Sequence, residues 1–182
     1  NRPDRKIITV EDPVEYEMSG INQVQVRASI GMTFAVALRS ILRQAPNVVM
    51  IGEIRDPETA NIATEASLTG HLVFSTLHTN DAPGAITRLL DIGVKPFMVA
   101  SSLRCVMAQR LVRCICDNCK EEYQPELHEL TGLGAAAAAL ADQKLVRGHG
   151  CAKCSLTGYH SRKGLFEIMV VDDDIQRMIF EK

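Results

Sequence analysis

The sequence predicts an α/β protein in which a doubly wound parallel sheet is followed by a smaller element built around four cysteines. Over about the first 110 residues, strand-like apolar runs alternate with patterns of helical spacing. The run at residues 48–52 is apolar throughout, which is typical of a parallel strand covered on both faces. Two Cys-x-x-Cys pairs, Cys116/Cys119 and Cys151/Cys154, indicate the second element.

Each element of the first part follows from local signals. The first strand is the β-branched run at residues 7–10, and a shorter, half-exposed strand follows near Val24 and Val26. Thr33 is placed to cap a helix that Pro46 ends. The next predicted elements are a strand at residues 48–52, a helix from Asp56-Pro57 to Gly70, a strand at residues 71–77, a helix from Asp81 to Gly93, and a helix from Pro96 through Leu111.

The remainder of the chain changes character. An alanine run at residues 135–139 predicts a helix, because alanine has the highest helix propensity. Residues 165–171 predict a strand, and residues 172–174 offer caps for a final helix. Cys105 falls inside the predicted helix that begins at Pro96, and we expect it in the core. The predicted division of the chain is an α/β domain at residues 1–112, a four-cysteine element at residues 113–171, and the start of a helical region at residues 172–182.

The composition excludes several classes of protein. Lys and Arg total 20 against 22 for Asp and Glu, and the resulting net charge of −2 disfavours a general binder of polyanions. Hydrophobic residues make up 46% of the chain, which is enough for a packed core and too many for a disordered segment. No apolar run approaches the roughly 20 residues of a membrane span, and no secretory signal opens the chain.

Polar residues follow three of the predicted strands at the point where each strand ends. Glu11, Asp12 and Glu15 follow the first strand. Glu53 follows the fully apolar strand, and His78 follows the next strand along the chain. Because ligands of open α/β sheets bind beyond the carboxyl ends of the strands, we expect these side chains at one site. Taken singly, each group is more simply explained as a solvated strand end or a hydrogen-bonded loop histidine.

Phosphoryl transfer from a nucleotide needs the kinds of group that these clusters offer. Carboxylates can hold Mg²⁺ and orient the attacking water, and a cation must neutralise charge that develops on the γ-phosphate. Arg39 and Arg43 lie four residues apart on one predicted helix, so they share a side of it and are candidate arginine fingers. In isolation, an ordinary exposed helix face is the simpler explanation of these two arginines.

One part of a nucleotide site is missing from the sequence. Nowhere does it contain Gly-x-x-x-x-Gly-Lys-Ser/Thr, the loop whose backbone amides and lysine cradle phosphates. The chain also lacks an initiator methionine and stops inside a helix-like pattern. We therefore expect a piece of a longer protein, and we expect this piece to bind ATP weakly or not at all by itself.

The two Cys-x-x-Cys pairs supply four thiolates, the number that a tetrahedral structural Zn²⁺ site takes. Residues 120–150 separate the pairs, which is longer than a common ribbon spacing and predicts an inserted helix. Because no signal peptide is present, zinc is favoured over disulfides. Unliganded thiols and a redox pair are the alternatives, and Cys114 and His149 are spare candidate ligands. A closed site of four thiolates has no open position, so its expected role is structural.

Three motifs in this order resemble the boxes of the secretion ATPase superfamily. Residues 8–16, Ile-Thr-Val-Glu-Asp-Pro-Val-Glu-Tyr, resemble its Asp box. Residues 38–56 resemble its arginine-bearing helix followed by its Walker B box, Val-Val-Met-Ile-Gly-Glu-Ile-Arg-Asp. Residues 69–81, Thr-Gly-His-Leu-Val-Phe-Ser-Thr-Leu-His-Thr-Asn-Asp, resemble its His box. The Ala-Gln-Arg-Leu-Val-Arg at residues 108–113, followed by the cysteines, narrows the resemblance to type II secretion and type IV pilus assembly ATPases.

The resemblance implies a RecA-like domain in a cytoplasmic homohexamer, peripheral to the inner membrane through its partners. Hydrolysis of ATP with Mg²⁺ would drive an inner-membrane platform protein that assembles pilin or pseudopilin subunits. No direct contact with nucleic acid is implied. The boxes also imply roles for individual residues. Glu11 is the leading candidate to orient the attacking water, and Glu53 would act on magnesium or water, with the division between the two left open. Arg39 and Arg43 would be fingers across a subunit interface.

The resemblance also implies that His78 lies nearest the phosphates. The other residues that would line the nucleotide site are Asp12, Glu15, His71 and Thr76. The sequence departs from the family pattern at Ala45, where the family usually has Asp before the proline, and at residues 27–29, where Arg-Ala-Ser replaces a more usual Asn-Pro-Lys. Ala45 removes none of the proposed catalytic groups.

A second function is compatible with the residues: a zinc-stabilised module that binds protein or nucleic acid without catalysis. Four cations near the first cysteine pair support it; they are Arg104, Arg110, Arg113 and Lys120. Only 4% of the residues are aromatic and none is Trp, so stacking platforms for single-stranded nucleic acid are scarce. A salt-dependent affinity for DNA would favour this alternative.

Overall fold

A computed structural model of the chain describes residues 1–134, 136–140 and 142–181. The chain begins with a sheet of four parallel strands: β1 (Ile7–Glu11), β2 (Asn22–Gln25), β3 (Val48–Ile51) and β4 (Leu72–Ser75). Their order in the sheet is β2-β1-β3-β4. Because all four strands run the same way, the residues that follow them lie along one edge of the sheet.

Helix α1 (Phe34–Leu42) connects β2 to β3, and α2 (Pro57–Leu68) connects β3 to β4. Helices α3 (Ala82–Ile92) and α4 (Pro96–Ser102) follow the last strand. The predicted caps Thr33, Asp56 and Asp81 each accept a hydrogen bond from the backbone amide three residues later. Gly93 ends α3 with a left-handed φ of 105°, which glycine adopts without strain. Local capping therefore sets the bounds of these helices close to where the sequence predicted them.

The core of this part lies around β1 and β3. Ile8 and Val10 of β1 pair in register with Val49 and Ile51 of β3, and all four side chains are buried. Leu38 of α1 is fully buried in the same cluster. Burial of such side chains is the main stabilising term in a domain of this size. It fixes β1 beside β3, so that the residues at their carboxyl ends are neighbours.

The chain divides into two compact units, Asn1–Ala108 with the segment from Glu167 onwards, and Gln109–Phe166. Strand β5 (Cys105–Ile115) leads to β6 (Lys120–Tyr123), to the short helices α5 (Leu127–Leu130) and α6 (Ala136–Leu140), and to β7 (Leu145–Gly148), which pairs antiparallel with β6. Strand β8 (Tyr159–Val170) and helix α7 (Asp173–Phe180) complete the chain. The predicted domain limits at residues 112 and 171 stay a prediction.

The elements predicted after residue 130 have the predicted type, helix or strand, in the structure. The alanine run is helical in α6, although Ala135 lies outside the described residues. The predicted strand at residues 165–171 is the second half of β8, which begins earlier, at Tyr159. Asp172 caps α7 by accepting a hydrogen bond from the Ile175 amide.

The helix predicted from Pro96 through Leu111 is wrong beyond Ser102. Leu103 has extended backbone angles, φ −72° and ψ 128°, and the chain continues as β5, which pairs with β8 in a two-stranded sheet. The apolar residues of this stretch fit both a helical and an extended pattern, and only pairing with a strand far along the chain decides between them. The expectation that Cys105 lies in the core is also wrong, because its side chain is exposed in β5.

The predicted α/β class, with a parallel sheet and a following four-cysteine element, is confirmed. Within the described part of the chain, no helix combines the length and the apolar character that crossing a membrane requires.

Candidate functional site

The loops after β3 and β4 bring a carboxylate and an imidazole together. Glu53 lies two residues beyond β3, His78 lies three residues beyond β4, and His78 Nε2 is 3.0 Å from Glu53 Oε2. The side chain of Glu53 is only 13% exposed, whereas that of His78 is 76% exposed. Arg55 Nε donates a hydrogen bond to the same oxygen, Oε2. The carboxylate of Glu53 is thus largely buried, while the imidazole that contacts it is exposed to solvent.

The surroundings of Glu53 favour its ionised form. Burial raises the pKa of this carboxyl, but the hydrogen bonds and positive charges of His78 and Arg55 outweigh that effect and lower the pKa below its ordinary value. A carboxylate that keeps its negative charge can bind a cation or accept a hydrogen bond from water.

The end of β1 contributes a second carboxylate, Glu11, which is 9% exposed. Its Oε1 accepts hydrogen bonds from Thr9 Oγ1 and, at 3.0 Å, from Gln23 Nε2. The peptide bond between Asp12 and Pro13 is cis, and the side chains of Asp12 and Glu15 are exposed in the loop that follows. Of the three acids predicted after this strand, Glu11 is therefore the one that the fold holds in a fixed place.

Thr76 joins the ends of β3 and β4. Its hydroxyl donates to the Gly52 carbonyl oxygen at 2.5 Å, and its own carbonyl accepts from the Ile54 amide at 3.1 Å. These two bonds continue the pairing of the strands past their carboxyl ends. They hold Thr76 between the ends of the strands that carry Glu53 and His78.

His71 lies elsewhere in the sheet. It precedes β4, at the opposite end of the strand from His78, and its Nδ1 is 3.0 Å from the carbonyl oxygen of Ala66 in α2. A carbonyl oxygen only accepts, so Nδ1 carries the proton and donates. The structure therefore brings Glu53 and His78 together but does not bring His71 to them.

The two arginines of α1 have different surroundings. Arg39 forms an ion pair with Glu58 of α2, with 2.5 Å between Nη2 and Oε1, and both side chains are more than half exposed. Arg43 follows the last residue of α1 and is exposed. It makes no ion pair with the residues that the structure describes. Both cations face solvent.

The four cysteines meet as predicted. The Sγ atoms of Cys116, Cys119, Cys151 and Cys154 all lie within 4.8 Å of one another. Three of their separations are 3.9 Å, 3.8 Å and 3.7 Å. Sulfurs about 2.3 Å from a tetrahedral Zn²⁺ are about 3.8 Å apart, so the cluster fits the ion in geometry as well as in number. Cys114 and His149, the spare candidates, lie outside this group.

Each Cys-x-x-Cys pair forms the same turn, in which the amide of the second cysteine donates to the carbonyl of the first at 3.2 Å. Hydrogen bonds from the Asn118 side chain and from backbone amides lower the pKa of Cys151 to about 6. Burial raises the pKa of Cys119 to about 12. Of these two thiols, Cys151 is therefore the more readily ionised.

Sequence reasoning missed two polar residues that the structure places beside the predicted carboxylates. Arg55 contacts Glu53, and Gln23 contacts Glu11 from the neighbouring strand. Arg55 is only two residues from Glu53, so its proximity was a usable signal. Gln23 lies twelve residues from Glu11, and its contact follows only from the register of β1 and β2.

Comparison with known proteins identifies the relatives of this chain. Type II secretion system protein E of Pseudomonas aeruginosa is 55% identical over 179 residues, which cover 98% of this chain and 35% of the relative. Type IV pilus assembly ATPase PilB of Thermus thermophilus is 54% identical over 177 residues, which cover 97% of this chain and 20% of the relative. The chain thus spans between a fifth and about a third of the length of these relatives.

Solved structures share the fold. The crystal structure of the pilus retraction motor PilT with bound ADP superposes with a TM-score of 0.62 at 28% identity, covering 97% of this chain and 42% of that one. The Legionella pneumophila ATPase DotB gives a TM-score of 0.64 at 24% identity, covering 100% of this chain and 41% of that one. A family model described as type II/IV secretion system protein matches residues 1–182. The chain therefore belongs to the type II/IV secretion system protein family.

Proposed function

We propose that this chain is the C-terminal part of an ATP-hydrolysing motor of type II protein secretion or type IV pilus assembly. The contact between Glu53 and His78 carries the proposal, because it joins a carboxylate and an imidazole beyond the carboxyl ends of adjacent parallel strands. Relatives more than half identical to the chain, one of them named an ATPase, support it.

The proposed roles follow the chemistry of each group. Glu11 orients the attacking water, because it is a buried carboxylate whose place is fixed by two donors. Glu53 acts on Mg²⁺ or on water, and His78 lies nearest the phosphates. Bound Mg²⁺ supplies positive charge against the phosphate oxygens. The other residues proposed to line the nucleotide are Asp12, Glu15, Thr76 and, despite its place before β4, His71.

Arg39 and Arg43 are proposed to reach the nucleotide of a neighbouring subunit in a homohexamer. Their exposure supports this role, and so does the absence of an ion pair for Arg43 with the described residues. An arginine finger neutralises the charge that develops on the transferred phosphoryl group. The full-length motor is proposed to act in the cytoplasm at the inner membrane, where a platform protein passes its movement to pilin or pseudopilin subunits.

The four-cysteine cluster is proposed to hold a structural Zn²⁺. All four ligand positions would be filled by thiolates, so the ion would stabilise the second unit and take no part in hydrolysis. This chain by itself is proposed to bind ATP weakly or not at all, because its sequence contains no phosphate-binding loop.

The test is steady-state ATP hydrolysis by the full-length protein that carries this chain. Glu53→Gln should abolish turnover, while the protein still folds and still binds ADP. Glu65→Gln, which makes the same change at an exposed position on α2, is the matched control and should keep full activity. Unchanged turnover in Glu53→Gln would contradict the site, and a wild-type protein without ATPase activity would contradict the function.

A further inference from the structure

Strand β2 places a glutamine against the proposed catalytic carboxylate. In the parallel pairing of β1 and β2, Thr9 lies opposite Gln23 and Glu11 lies opposite Gln25. Side chains two residues apart on a strand share a face of the sheet, so Thr9, Glu11 and Gln23 lie on the same side. The alternate residues Ile8 and Val10 are buried in the core, which fixes this register.

The amide of Gln23 makes three hydrogen bonds. Its Nε2 donates to Glu11 Oε1 and to the carbonyl oxygen of Tyr16, both at 3.0 Å, and its Oε1 accepts from the Met18 amide at 2.7 Å. Only one orientation of the amide satisfies all three partners, because a reversed amide would face the carboxylate with an oxygen and the Met18 amide with a donor. Gln23 is therefore locked between Glu11 and the loop at residues 12–21.

A second donor reaches the same carboxylate oxygen from inside the sheet. Thr9, which is 2% exposed, donates through Oγ1 to Glu11 Oε1. The two donors approach one oxygen from β1 and from β2, and together they fix the position of that oxygen. Oε2 is engaged by neither of them, so it is the oxygen that can act on a water molecule.

We infer that Gln23 is a positioning residue for ATP hydrolysis, which holds Glu11 together with the loop at residues 12–21 in the orientation that catalysis requires. Thr9 completes this arrangement from the side of the core. The inference rests on the proposed function. A carboxylate held by a single donor can rotate about its side-chain torsions, and small misplacements of a catalytic group cost much of the rate.

The experiment compares three variants of the full-length protein. Gln23→Met removes both donors and the acceptor at nearly constant volume, and Thr9→Val removes only the hydroxyl that contacts Glu11. Gln25→Met is the matched control, since Gln25 is an exposed glutamine two residues along the same strand. The measurements are kcat and KM for ATP hydrolysis, the Kd for ADP, the thermal unfolding temperature, and amide hydrogen exchange at Met18.

The expected results separate positioning from general stability. Gln23→Met should lower kcat roughly 10- to 100-fold, leave KM and the ADP Kd within about twofold of wild type, and speed exchange at Met18. Thr9→Val should lower kcat in the same direction without changing exchange at Met18, because the hydroxyl does not contact the loop. Gln25→Met should change neither kcat nor exchange.

Several outcomes would overturn the inference. A wild-type kcat in Gln23→Met would overturn it, even if the Met18 amide exchanged faster. A variant with a raised KM and an unchanged kcat would overturn it as well. If Gln23→Met fails to fold, Thr9→Val decides, and wild-type kcat in that variant overturns the inference. Failure of the proposed function gives a different result, since Glu53→Gln would then leave turnover unchanged or the wild type would not hydrolyse ATP.

Discussion

His78 Nε2 lies 3.0 Å from Glu53 Oε2, although the two residues are 25 positions apart in the sequence. The contact follows from the register of β3 and β4, in which Ile51 pairs with Ser75 as the strands end. Arg55 binds the same oxygen of Glu53. The carboxylate therefore carries both donors on one side, and Oε1 is engaged by neither.

The lowered pKa of Glu53 predicts how stability depends on pH. A carboxyl whose folded-state pKa lies below the unfolded value of about 4.5 stabilises the fold above that value, and this contribution is lost as pH falls through the lower folded-state pKa. The free energy of unfolding of wild type should therefore exceed that of Glu53→Gln most clearly above pH 4.5, and the difference should shrink at lower pH. Denaturant unfolding between about pH 3 and pH 7 measures it.

His78→Ala removes one of the two donors and serves as the control. Since His78 helps to lower the pKa of Glu53, the pH-dependent part of the stability should become smaller in this variant. If the free energies of unfolding of wild type and Glu53→Gln differed more as the pH falls, the predicted direction of the pH dependence would be wrong.

The cysteine cluster predicts a metal dependence that one matched pair of variants can test. Cys119→Ser removes a buried member of the cluster and should reduce bound zinc from about one ion per chain to near zero. Because zinc binding contributes folding energy to such sites, residues 109–166 should also lose protection against proteolysis. Elemental analysis of the purified protein and limited proteolysis are the measurements.

Cys105→Ser makes the same chemical change at an exposed cysteine outside the cluster. It should retain full zinc content and wild-type protection. Equal zinc content in the two variants would exclude the four-thiolate site.

The ion pair between Arg39 and Glu58 is a weak restraint. Their side chains are 54% and 57% exposed, and solvent-exposed pairs contribute about 0–1 kcal/mol to stability. Glu58→Gln should therefore change the free energy of unfolding by less than about 1 kcal/mol and leave ATP hydrolysis by the full-length protein near wild type. Arg39→Ala should lower kcat by about 10³-fold if the guanidinium reaches a neighbouring nucleotide.

The two variants remove the same ion pair, so any difference between them reports on the arginine itself. Similar small effects in both would make Arg39 a surface residue. An equally large loss of activity in both would instead indicate that the ion pair is required.

Ala45 is in the left-handed region of backbone space, with φ 49°. This conformation costs an alanine about 1–2 kcal/mol, whereas Asn and Asp tolerate it better through local hydrogen bonds. Ala45→Asn should therefore raise the free energy of unfolding by about 0.5–1 kcal/mol, seen as a higher thermal unfolding temperature. Ala28→Asn, at an exposed alanine outside the positive-φ positions, should give no gain. A lower unfolding temperature for Ala45→Asn would contradict the assigned strain.

Local signals in the sequence were sufficient for most elements of the fold. Thr33, Asp56, Asp81 and Asp172 were recognisable as caps because Thr and Asp before a helical pattern favour that position, and each one accepts a hydrogen bond from the amide three residues later. The strand β3 was recognisable because its run of residues is apolar throughout, and its Val49 and Ile51 side chains are buried in the structure. The strand β5 after Ser102 was not recognisable from the sequence, because its extended conformation depends on pairing with β8.

The candidate site was also predictable from the sequence only in part. The sequence contained the acids and histidines and indicated which strand each one follows, and the spacing of the cysteines predicted their cluster. It did not reveal that Gln23 binds Glu11 or that Arg39 binds Glu58, because these partners lie on neighbouring strands and helices.

By itself, the sequence determined the α/β class, the order of the boxes and the membership of a family of secretion proteins, since these depend on residue types and short spacings. The tertiary structure alone decided the partner of each histidine: His78 Nε2 lies 3.0 Å from Glu53 Oε2, whereas His71 Nδ1 lies 3.0 Å from the carbonyl oxygen of Ala66. Both histidines flank β4, and they differ only in which end of the strand they occupy. The parallel sheet gathers carboxyl ends at one edge, and this long-range register is what selects the residues of the site.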